Sequence, residues 1–192
     1  MNQKISKHQL RRNLREQRAG LNNKELRQAE YNLAIQAAAS NRLQQAKRIL
    51  SYQPFAGEIS PATLVRKLNC KSIHYPRITN FRRREMRFYS ACESNKFNKF
   101  GIKEPSKRDK PYPANSFDLI LLPLVAFHRS GTRMGMGAGY YDRALAALTH
   151  QKSTKPYLVG LAHHFQEVKS LERAPWDVPL DAILTDHEFI YI

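Results

Sequence analysis

Short apolar runs separated by more polar segments predict strands that alternate with helices along the chain. Leu119 to Pro123 is a continuous apolar run, which is typical of a strand buried on both faces of a parallel sheet. The apolar character continues through residues 124–127, so the strand is expected to extend past the proline. Further strands are predicted at residues 48–52, 71–76, 85–90, 157–162 and 182–185.

Helices are predicted between these strands. Residues 4–18 carry a thin apolar stripe and predict a first helix, whose basic residues are expected to face solvent. Asn22 is a good cap for a second helix, which is predicted to run to about Ala46, and Ser60-Pro61 is a good start for a third. This order predicts an open α/β sheet with ligands beyond the carboxyl ends of its strands.

The segment after the central strand is rich in glycine, with four in residues 131–139. Because glycine lacks a Cβ, such a loop can approach a ligand closely, and N–H groups that lead into a helix suit phosphate. Arg133 and Arg143 flank the loop with positive charge, and Asp142 is suited to hold Mg²⁺ beside phosphate oxygens. The alternative is a glycine-rich surface turn followed by an ordinary first-turn acid.

Length and composition restrict the class of protein. The 192 residues suffice for one domain with a full core, and no apolar stretch approaches the roughly 18 residues of a transmembrane helix. Residues 1–10 lack the apolar centre of a signal peptide, so a cytoplasmic protein is expected. Cys70 and Cys92 have no metal-ligand spacing and are predicted to be free thiols.

The net charge of +16 has two interpretations. Clustered lysine and arginine attract nucleic acid, but a basic surface attracts small polyanions equally well. The charge is concentrated in the N-terminal segment and in residues 77–110, which include three arginines at 82–84. Because no RNA-binding motif accompanies this charge, contact with nucleic acid is predicted to be non-specific.

Residues 133–143 read R-M-G-M-G-A-G-Y-Y-D-R and resemble the signature of the 5-formyltetrahydrofolate cyclo-ligases, also called methenyltetrahydrofolate synthetases. Three further segments are similar to motifs of that family and occur in the same order: residues 7–11, 97–105 and 177–181. The resemblance therefore spans nearly the whole chain. Ala138, His128 and Lys103 depart from the usual family pattern, which affects substrate geometry more than the reaction class.

The resemblance implies a role for each motif residue. ATP would be bound by Lys7, Arg11, Arg133, Met134, Gly135, Met136, Gly137, Ala138, Gly139, Tyr140, Tyr141 and Arg143. The folate substrate would be bound by Gln53, Phe55, Glu58, Tyr140 and Tyr141, with the Glu58 carboxylate accepting paired N–H donors of the pterin. Mg²⁺ would be held by Asp142 and Asp177, with Asp181 as the rival to Asp177. His163 and His164 are interpreted as polar strand-end residues, with a metal pair as the alternative.

The resemblance also implies a fold and a reaction. Residues 1–192 are expected to form a single domain, a three-layer α/β fold of the NagB/RpiA/CoA-transferase-like type with an open, mostly parallel sheet. The implied activity is ATP- and Mg²⁺-dependent conversion of 5-formyltetrahydrofolate to 5,10-methenyltetrahydrofolate by a monomer, with ATP as co-substrate and with or without a polyglutamate tail on the folate. Two rivals remain: a nucleic-acid-binding protein on an inactive scaffold, and another ATP-dependent folate or sugar-phosphate enzyme on the same fold.

Overall fold

The computed structural model describes residues 5–68, 72–91, 96–105, 110–150 and 155–192. Lys4, Cys70 and Cys92 lie outside these residues, and so does the prediction that both cysteines are free thiols. Among the described residues, no helix has the length and apolar character needed to cross a membrane.

Strands in the described residues form one large sheet and one small hairpin. The strands are β1 (Arg48–Leu50), β2 (Ser72–Asn80), β3 (Glu85–Ser90), β4 (Leu119–Pro123), β5 (Ala126–Phe127), β6 (Arg133–Met134), β7 (Tyr157–Ala162), β8 (Ala182–Thr185) and β9 (Phe189–Tyr191). The large sheet has seven strands in the order β3-β2-β1-β4-β7-β8-β9. The five inner strands are parallel, and β3 and β9 are antiparallel edge strands. The predicted open, mostly parallel sheet is confirmed.

Five α-helices and four short 3₁₀ segments connect these strands. The helices are α1 (Lys7–Ala19), α2 (Asn23–Gln36), α3 (Asn41–Gln44), α4 (Ala62–Lys67) and α5 (Tyr140–Leu145), and the 3₁₀ segments are Ala37–Ala39, Ala114–Ser116, Ala146–His150 and His164–Gln166. The predicted asparagine cap is present, because the Asn22 side chain accepts the N–H of Glu25 while the Glu25 carboxylate accepts the N–H of Asn22.

The core lies on both faces of the sheet, with β4 in the middle. Leu119 and Leu121 pack into one buried cluster with residues of α2 and α4. Ile120 and Leu122 belong to the cluster on the opposite face, together with Leu145 of α5. Because successive side chains of a strand point to opposite faces, a strand covered on both sides needs an unbroken apolar run. The predicted three-layer arrangement is confirmed.

Helix α1 lies apart from these two clusters and belongs to a third, smaller one. Its residues Leu10 and Leu14 pack on the β5–β6 hairpin and on residues 165–171. The helix begins at Lys7 because the Ser6 hydroxyl accepts the N–H of Gln9 at 3.2 Å. The prediction of helix at residues 5 and 6 was therefore wrong.

The second predicted helix was too long. Helix α2 ends at Gln36, and the alanines 37–39 tighten into a 3₁₀ turn before Ser40 becomes extended. This turn lets Leu43 and Ala46 join the core cluster that already contains Ala37. Burial of these side chains outweighs the helix propensity of the segment.

Three strand boundaries also differ from the prediction, and one strand was missed. Strand β1 ends at Leu50 rather than at residue 52. Residues 124–127 do not extend β4, because β5 pairs with β6 in a separate hairpin after Pro123, a residue without an N–H to donate. Strand β2 continues to Asn80, since antiparallel pairing with β3 supports the longer segment. Strand β9 follows the last buried strand and was not predicted.

Candidate active site

A cavity of about 550 Å³ opens at the carboxyl ends of the central strands. Its walls come from α1, the turn at residues 53–58, the β2–β3 hairpin, the glycine-rich loop after β6 and residues 171–177. All residues predicted to bind ATP, folate or Mg²⁺ line this cavity, with the exception of Arg143. Residues 98, 100 and 102–104, which belong to the motif segment 97–105, line it as well.

The glycine-rich loop runs from Gly135 to Gly139 and leads into α5. Gly137 and Gly139 have φ values of +95° and +69°, the left-handed region that glycine adopts without penalty. Arg11 Nε donates to the carbonyl of Gly135 at 3.0 Å. In the described part of the chain, protein donors engage carbonyl groups of this loop, and its N–H groups remain for a ligand. This arrangement suits an anion.

Arg143 lies outside the main cavity and supports the loop from behind. It lines a smaller neighbouring cavity with Arg84, and the Nη1 atoms of both side chains donate to the carbonyl of Ala138, at 3.3 and 3.4 Å. Two guanidinium groups on one carbonyl add positive potential to the glycine-rich loop. Contact of Arg143 with ATP stays a prediction, and Arg84 is an additional residue that the motifs did not indicate.

Lys7 and Arg11 lie on the same face of α1 and both reach the cavity, as their i, i+4 spacing predicts. Lys7 Nζ donates to the carbonyl of Glu172 at 2.8 Å, on the opposite wall. Arg12, the next residue along the helix, faces solvent and pairs with Glu16 at 2.8 Å. One face of α1 therefore supplies two cations to the site.

The carboxylates of Asp142 and Asp177 line the same wall as the glycine-rich loop. Asp142 pairs with the guanidinium of Arg133, and Asp177 Oδ2 accepts the N–H of Ala174 at 2.8 Å. Asp181 lies outside the cavity, where Lys155 Nζ and the N–H of Leu158 donate to its two oxygens at 2.8 and 2.9 Å. Of the three aspartates considered, Asp142 and Asp177 reach the cavity, and their role as Mg²⁺ ligands stays a prediction.

Glu58 lies in a turn after β1 and also lines the cavity. Its Oε2 accepts the N–H of Phe55 at 3.1 Å, and its Oε1 lies 3.7 Å from Arg18 Nη1. Burial raises the pKa of Glu58 to about 7, although Arg18 and the Phe55 N–H partly offset this rise. A carboxyl group that titrates near neutrality in a cleft is a candidate functional group.

The structure corrects the prediction that the basic residues of α1 face solvent. Arg18 is only 1% exposed, and its Nε donates to the carbonyl of Ala56 at 2.9 Å. Burial lowers the pKa of Arg18, and the nearby Glu58 offsets only part of this decrease. The available signal was spacing, because Arg18 follows Leu10 and Leu14 at intervals of four and so shares their apolar face.

The paired histidines do not form a metal site with each other. The imidazole of His163 is buried and its Nε2 bonds the carbonyl of Gly57 at 2.9 Å. In the described residues, His164 approaches Glu167 and Glu188 in a group with metal-like spacing, outside the cavity. The guanidinium of Arg129 bonds both glutamates. The interpretation of His163 and His164 as polar strand-end residues stays a prediction.

Comparison with known proteins places this geometry in a family context. The family model described as the 5-formyltetrahydrofolate cyclo-ligase family matches residues 3–186. The 5-formyltetrahydrofolate cyclo-ligase of Haemophilus influenzae is 38% identical over 183 residues, which are 93% of this chain and 96% of that protein. The protein of the same name from Escherichia coli K12 is 33% identical over 159 residues, 74% of this chain and 86% of that protein.

Solved structures show the same relationship. The NMR structure of Aquifex aeolicus 5,10-methenyltetrahydrofolate synthetase superposes with a TM-score of 0.79 at 27% identity, and the match covers 97% of this chain and 93% of that one. A Mycoplasma pneumoniae 5,10-methenyltetrahydrofolate synthetase gives a TM-score of 0.72 at 24% identity, covering 95% and 99% of the two chains. The second match shows the shared fold alone.

Proposed function

The chain belongs to the 5-formyltetrahydrofolate cyclo-ligase family, and we propose that it converts 5-formyltetrahydrofolate to 5,10-methenyltetrahydrofolate with consumption of ATP in the presence of Mg²⁺. The observation that carries the proposal is the single cavity into which the glycine-rich loop, the cations of α1, two aspartates and Glu58 all project. The predicted family is confirmed. The cytoplasmic location and the monomeric state stay predictions.

The proposed reaction activates a poor leaving group. The formyl oxygen of the substrate is amide-like, so it attacks the γ-phosphorus of ATP, ADP departs, and an imidate phosphate forms at the formyl carbon. N10 of the folate then attacks that carbon and loses its proton. The carbon–oxygen bond breaks, inorganic phosphate departs, and the methenyl product remains. The protein supplies positioning and charge neutralisation rather than covalent chemistry.

The phosphate side of the cleft would hold ATP. The loop of residues 135–139 offers N–H groups to phosphate oxygens, and Lys7 and Arg11 add two cations from one helical face. Asp142 and Asp177 would hold Mg²⁺, which would screen the charge of the phosphates. Arg133, whose side chain is 4% exposed, balances the charge of Asp142 in the free protein.

The opposite side of the cleft would hold the folate. An ionised Glu58 can accept two N–H donors of the pterin ring at once, whereas the protonated form loses one acceptor oxygen. Phe55 and Tyr141 line the cavity near this carboxyl, and Tyr141 is close enough that Glu58 helps to raise its pKa, after the larger effect of burial. Glu58 and the phosphate loop line one cavity, which would let the folate and ATP lie side by side, as the two-substrate reaction requires.

A direct assay tests the proposal. The purified protein is incubated with 5-formyltetrahydrofolate and MgATP, and the near-ultraviolet absorbance of the methenyl product is followed. We expect absorbance to grow only when ATP is present and to stop when excess chelator removes the metal. Folded protein that binds ATP but forms no product would overturn the proposal. That result would favour a different ATP-dependent folate or sugar-phosphate enzyme on this fold.

A further inference from the structure

We propose that Arg18, Gln166 and His163 form a closed, buried ring of hydrogen bonds that positions the turn carrying Glu58 for folate binding. The proposal rests on the proposed function, because it assigns these three residues to the folate side of the same site. They are only 1%, 1% and 2% exposed, and no sequence motif pointed to them as a unit. Buried polar side chains are tolerated where their hydrogen bonds are satisfied, and a satisfied buried network makes the surrounding structure rigid.

The turn itself has an unfavourable backbone conformation. Ala56 and Gly57 have φ values of +48° and +74°, so two consecutive residues are left-handed and one of them carries a side chain. Such conformations persist only where the surroundings hold them. A Cβ at position 57 would lie 2.3 Å from the carbonyl oxygen of Arg18, which shows how closely α1 presses on the turn. The position of Glu58, the next residue, depends on what holds this backbone.

Arg18 forms the first half of the ring. Its Nε donates to the carbonyl of Ala56 at 2.9 Å, and its Nη1 donates to the carbonyl of Leu124 at 3.3 Å. The side-chain amide of Gln166 donates to the same Leu124 carbonyl at 2.8 Å. A single backbone carbonyl just beyond β4 therefore joins the helix α1 to the segment that follows β7.

His163 forms the second half and closes the ring. Its backbone N–H donates to the side-chain oxygen of Gln166 at 2.8 Å, and its Nε2 bonds the carbonyl of Gly57 at 2.9 Å. The N–H of Gln166 donates to the backbone carbonyl of His163 at 3.0 Å, so the two residues are bonded to each other twice. Because a carbonyl can only accept, Nε2 carries a proton and donates to Gly57. Burial lowers the pKa of His163, which favours the neutral imidazole.

The two halves hold neighbouring carbonyl groups of one turn from opposite sides. Arg18 engages the carbonyl of Ala56, and His163 engages that of Gly57, so the peptide units before Glu58 cannot rotate freely. Loss of either donor lets the left-handed turn relax and moves the carboxylate away from its place in the cavity. His163 bonds the turn, whereas Arg18 also reaches the phosphate loop, where its Nη2 donates to Met136 Sδ at 3.9 Å. We therefore expect folate affinity to fall while ATP affinity is kept most clearly in variants of His163.

Three substitutions of His163 test the ring. A glutamine side chain can place its amide N–H where Nε2 lies, an asparagine can only reach the position of Nδ1, and a leucine offers no donor. We expect His163→Leu and His163→Asn to raise the KM for 5-formyltetrahydrofolate about tenfold or more, with the KM for ATP within about twofold of wild type. His163→Gln should recover the folate KM to within about threefold. Calorimetric binding of 5-formyltetrahydrofolate without ATP should follow the same order.

A matched control separates positioning from general destabilisation. His74 is 1% exposed, lies on β2 among Tyr112 and Phe117, and does not line the cavity. His74→Leu should lower the melting temperature without separating the two KM values. Equal changes in both KM values for the His163 variants, no advantage of glutamine over asparagine, or the same separation in His74→Leu would each overturn the proposal.

Two further measurements keep the test decisive. If His163→Leu does not fold, Arg18→Lys tests the other half, because lysine keeps the charge beside Glu58 but loses the fixed Nε donor to Ala56. Amide hydrogen exchange of residues 55–59 should be faster in Arg18→Lys and His163→Asn than in wild type and near wild type in His163→Gln. Wild-type protein without turnover would refute the proposed function, whereas unchanged exchange in the variants would refute the ring.

Discussion

Two parts of the cleft lining contain left-handed backbone, and each holds it in a different way. We call the loop of residues 135–139 the phosphate wall and the turn of residues 53–58 the folate wall. The phosphate wall uses left-handed glycines at 137 and 139, and arginines support its carbonyl groups from the surface. The folate wall uses the left-handed pair Ala56–Gly57, which buried side chains hold from two directions. A loop that binds phosphate through its N–H groups needs positive potential more than a fixed shape. A single carboxylate that must meet two donors needs a fixed position.

The difference also explains where the charges lie. Met136 of the phosphate loop is 39% exposed, and Arg84 and Arg143 beside the loop are exposed, although Arg133 is buried. On the folate wall, burial raises the pKa of Glu58 to about 7 despite the nearby Arg18. The phosphate wall is therefore open to salt screening, whereas the folate wall is sensitive to pH.

The largest effect is expected from Asp142→Asn, which tests whether the phosphate wall holds a metal. Loss of a Mg²⁺ ligand removes about 4 kcal/mol of transition-state stabilisation, roughly a thousandfold in kcat. The melting temperature should also fall, because Arg133 loses the partner of its buried guanidinium. Asp181→Asn is the matched control and should keep kcat within about twofold. A kcat for Asp142→Asn near that of wild type at saturating Mg²⁺ would remove this aspartate from the metal site.

Gly57→Ala tests the close packing of the folate wall. The new Cβ would meet the Arg18 carbonyl oxygen at 2.3 Å in a left-handed conformation, so we expect the free energy of unfolding to fall by about 3 kcal/mol. Gly101 has a similar φ of +77° but no atom within 4 Å of a built Cβ, so Gly101→Ala should cost only about 1 kcal/mol. Denaturant unfolding measures both variants. Equal losses would show that backbone conformation alone matters and that the contact with α1 does not.

The pH dependence of folate use tests the charge of Glu58. The pKa of about 7 lies above the ordinary value of 4.5, so the free enzyme holds a proton on this carboxyl below neutrality. The kcat/KM for 5-formyltetrahydrofolate should therefore fall as the pH drops through about 7, since the acceptor pair is lost. The free energy of unfolding should change in the opposite direction. Between pH 4.5 and about 7 the folded state keeps a proton on Glu58 that the unfolded chain loses, so stability falls as the pH rises through this range.

Glu58→Gln sharpens this test. Loss of a charged acceptor should remove about 2 kcal/mol of transition-state stabilisation at pH 8, which lowers kcat/KM roughly thirtyfold. The fall of kcat/KM on the acid side of pH 7 should disappear. The KM for ATP should stay unchanged, which separates this wall from the phosphate wall. An acid limb that persists in Glu58→Gln would assign the titration to another group.

The smallest effect is expected from Arg11→Met on the phosphate wall. Arg11 lines the cavity and bonds Gly135, so its loss should raise the KM for ATP about fivefold, near 1 kcal/mol, with a smaller effect at high salt. Arg12→Met removes the same charge from the solvent-facing side of α1 and should change this KM by less than about twofold. Equal effects of the two variants would show that only net charge matters.

The fold and the glycine-rich loop of the phosphate wall were predicted from local sequence patterns. The unbroken apolar run of β4, the asparagine cap at Asn22 and the glycine spacing at 135–139 are properties of neighbouring residues. Their physics acts over a few positions, through strand alternation, capping and the freedom of glycine at positive φ. The resemblance to a family then indicated Glu58, whose surroundings alone would not have distinguished it from an ordinary loop acid.

The amino-acid sequence by itself determined the α/β architecture, the phosphate loop and the set of residues that face one cleft. Tertiary structure decided which charges are buried and what they hold. Arg18 contacts a carbonyl 38 positions away, and His163 contacts one 106 positions away, so no local period reveals either contact. The same holds for Asp181, which Lys155 and Leu158 engage outside the cavity. The reason is physical: hydrogen-bond pairing and burial depend on distance in space, whereas propensity and spacing depend on distance along the chain.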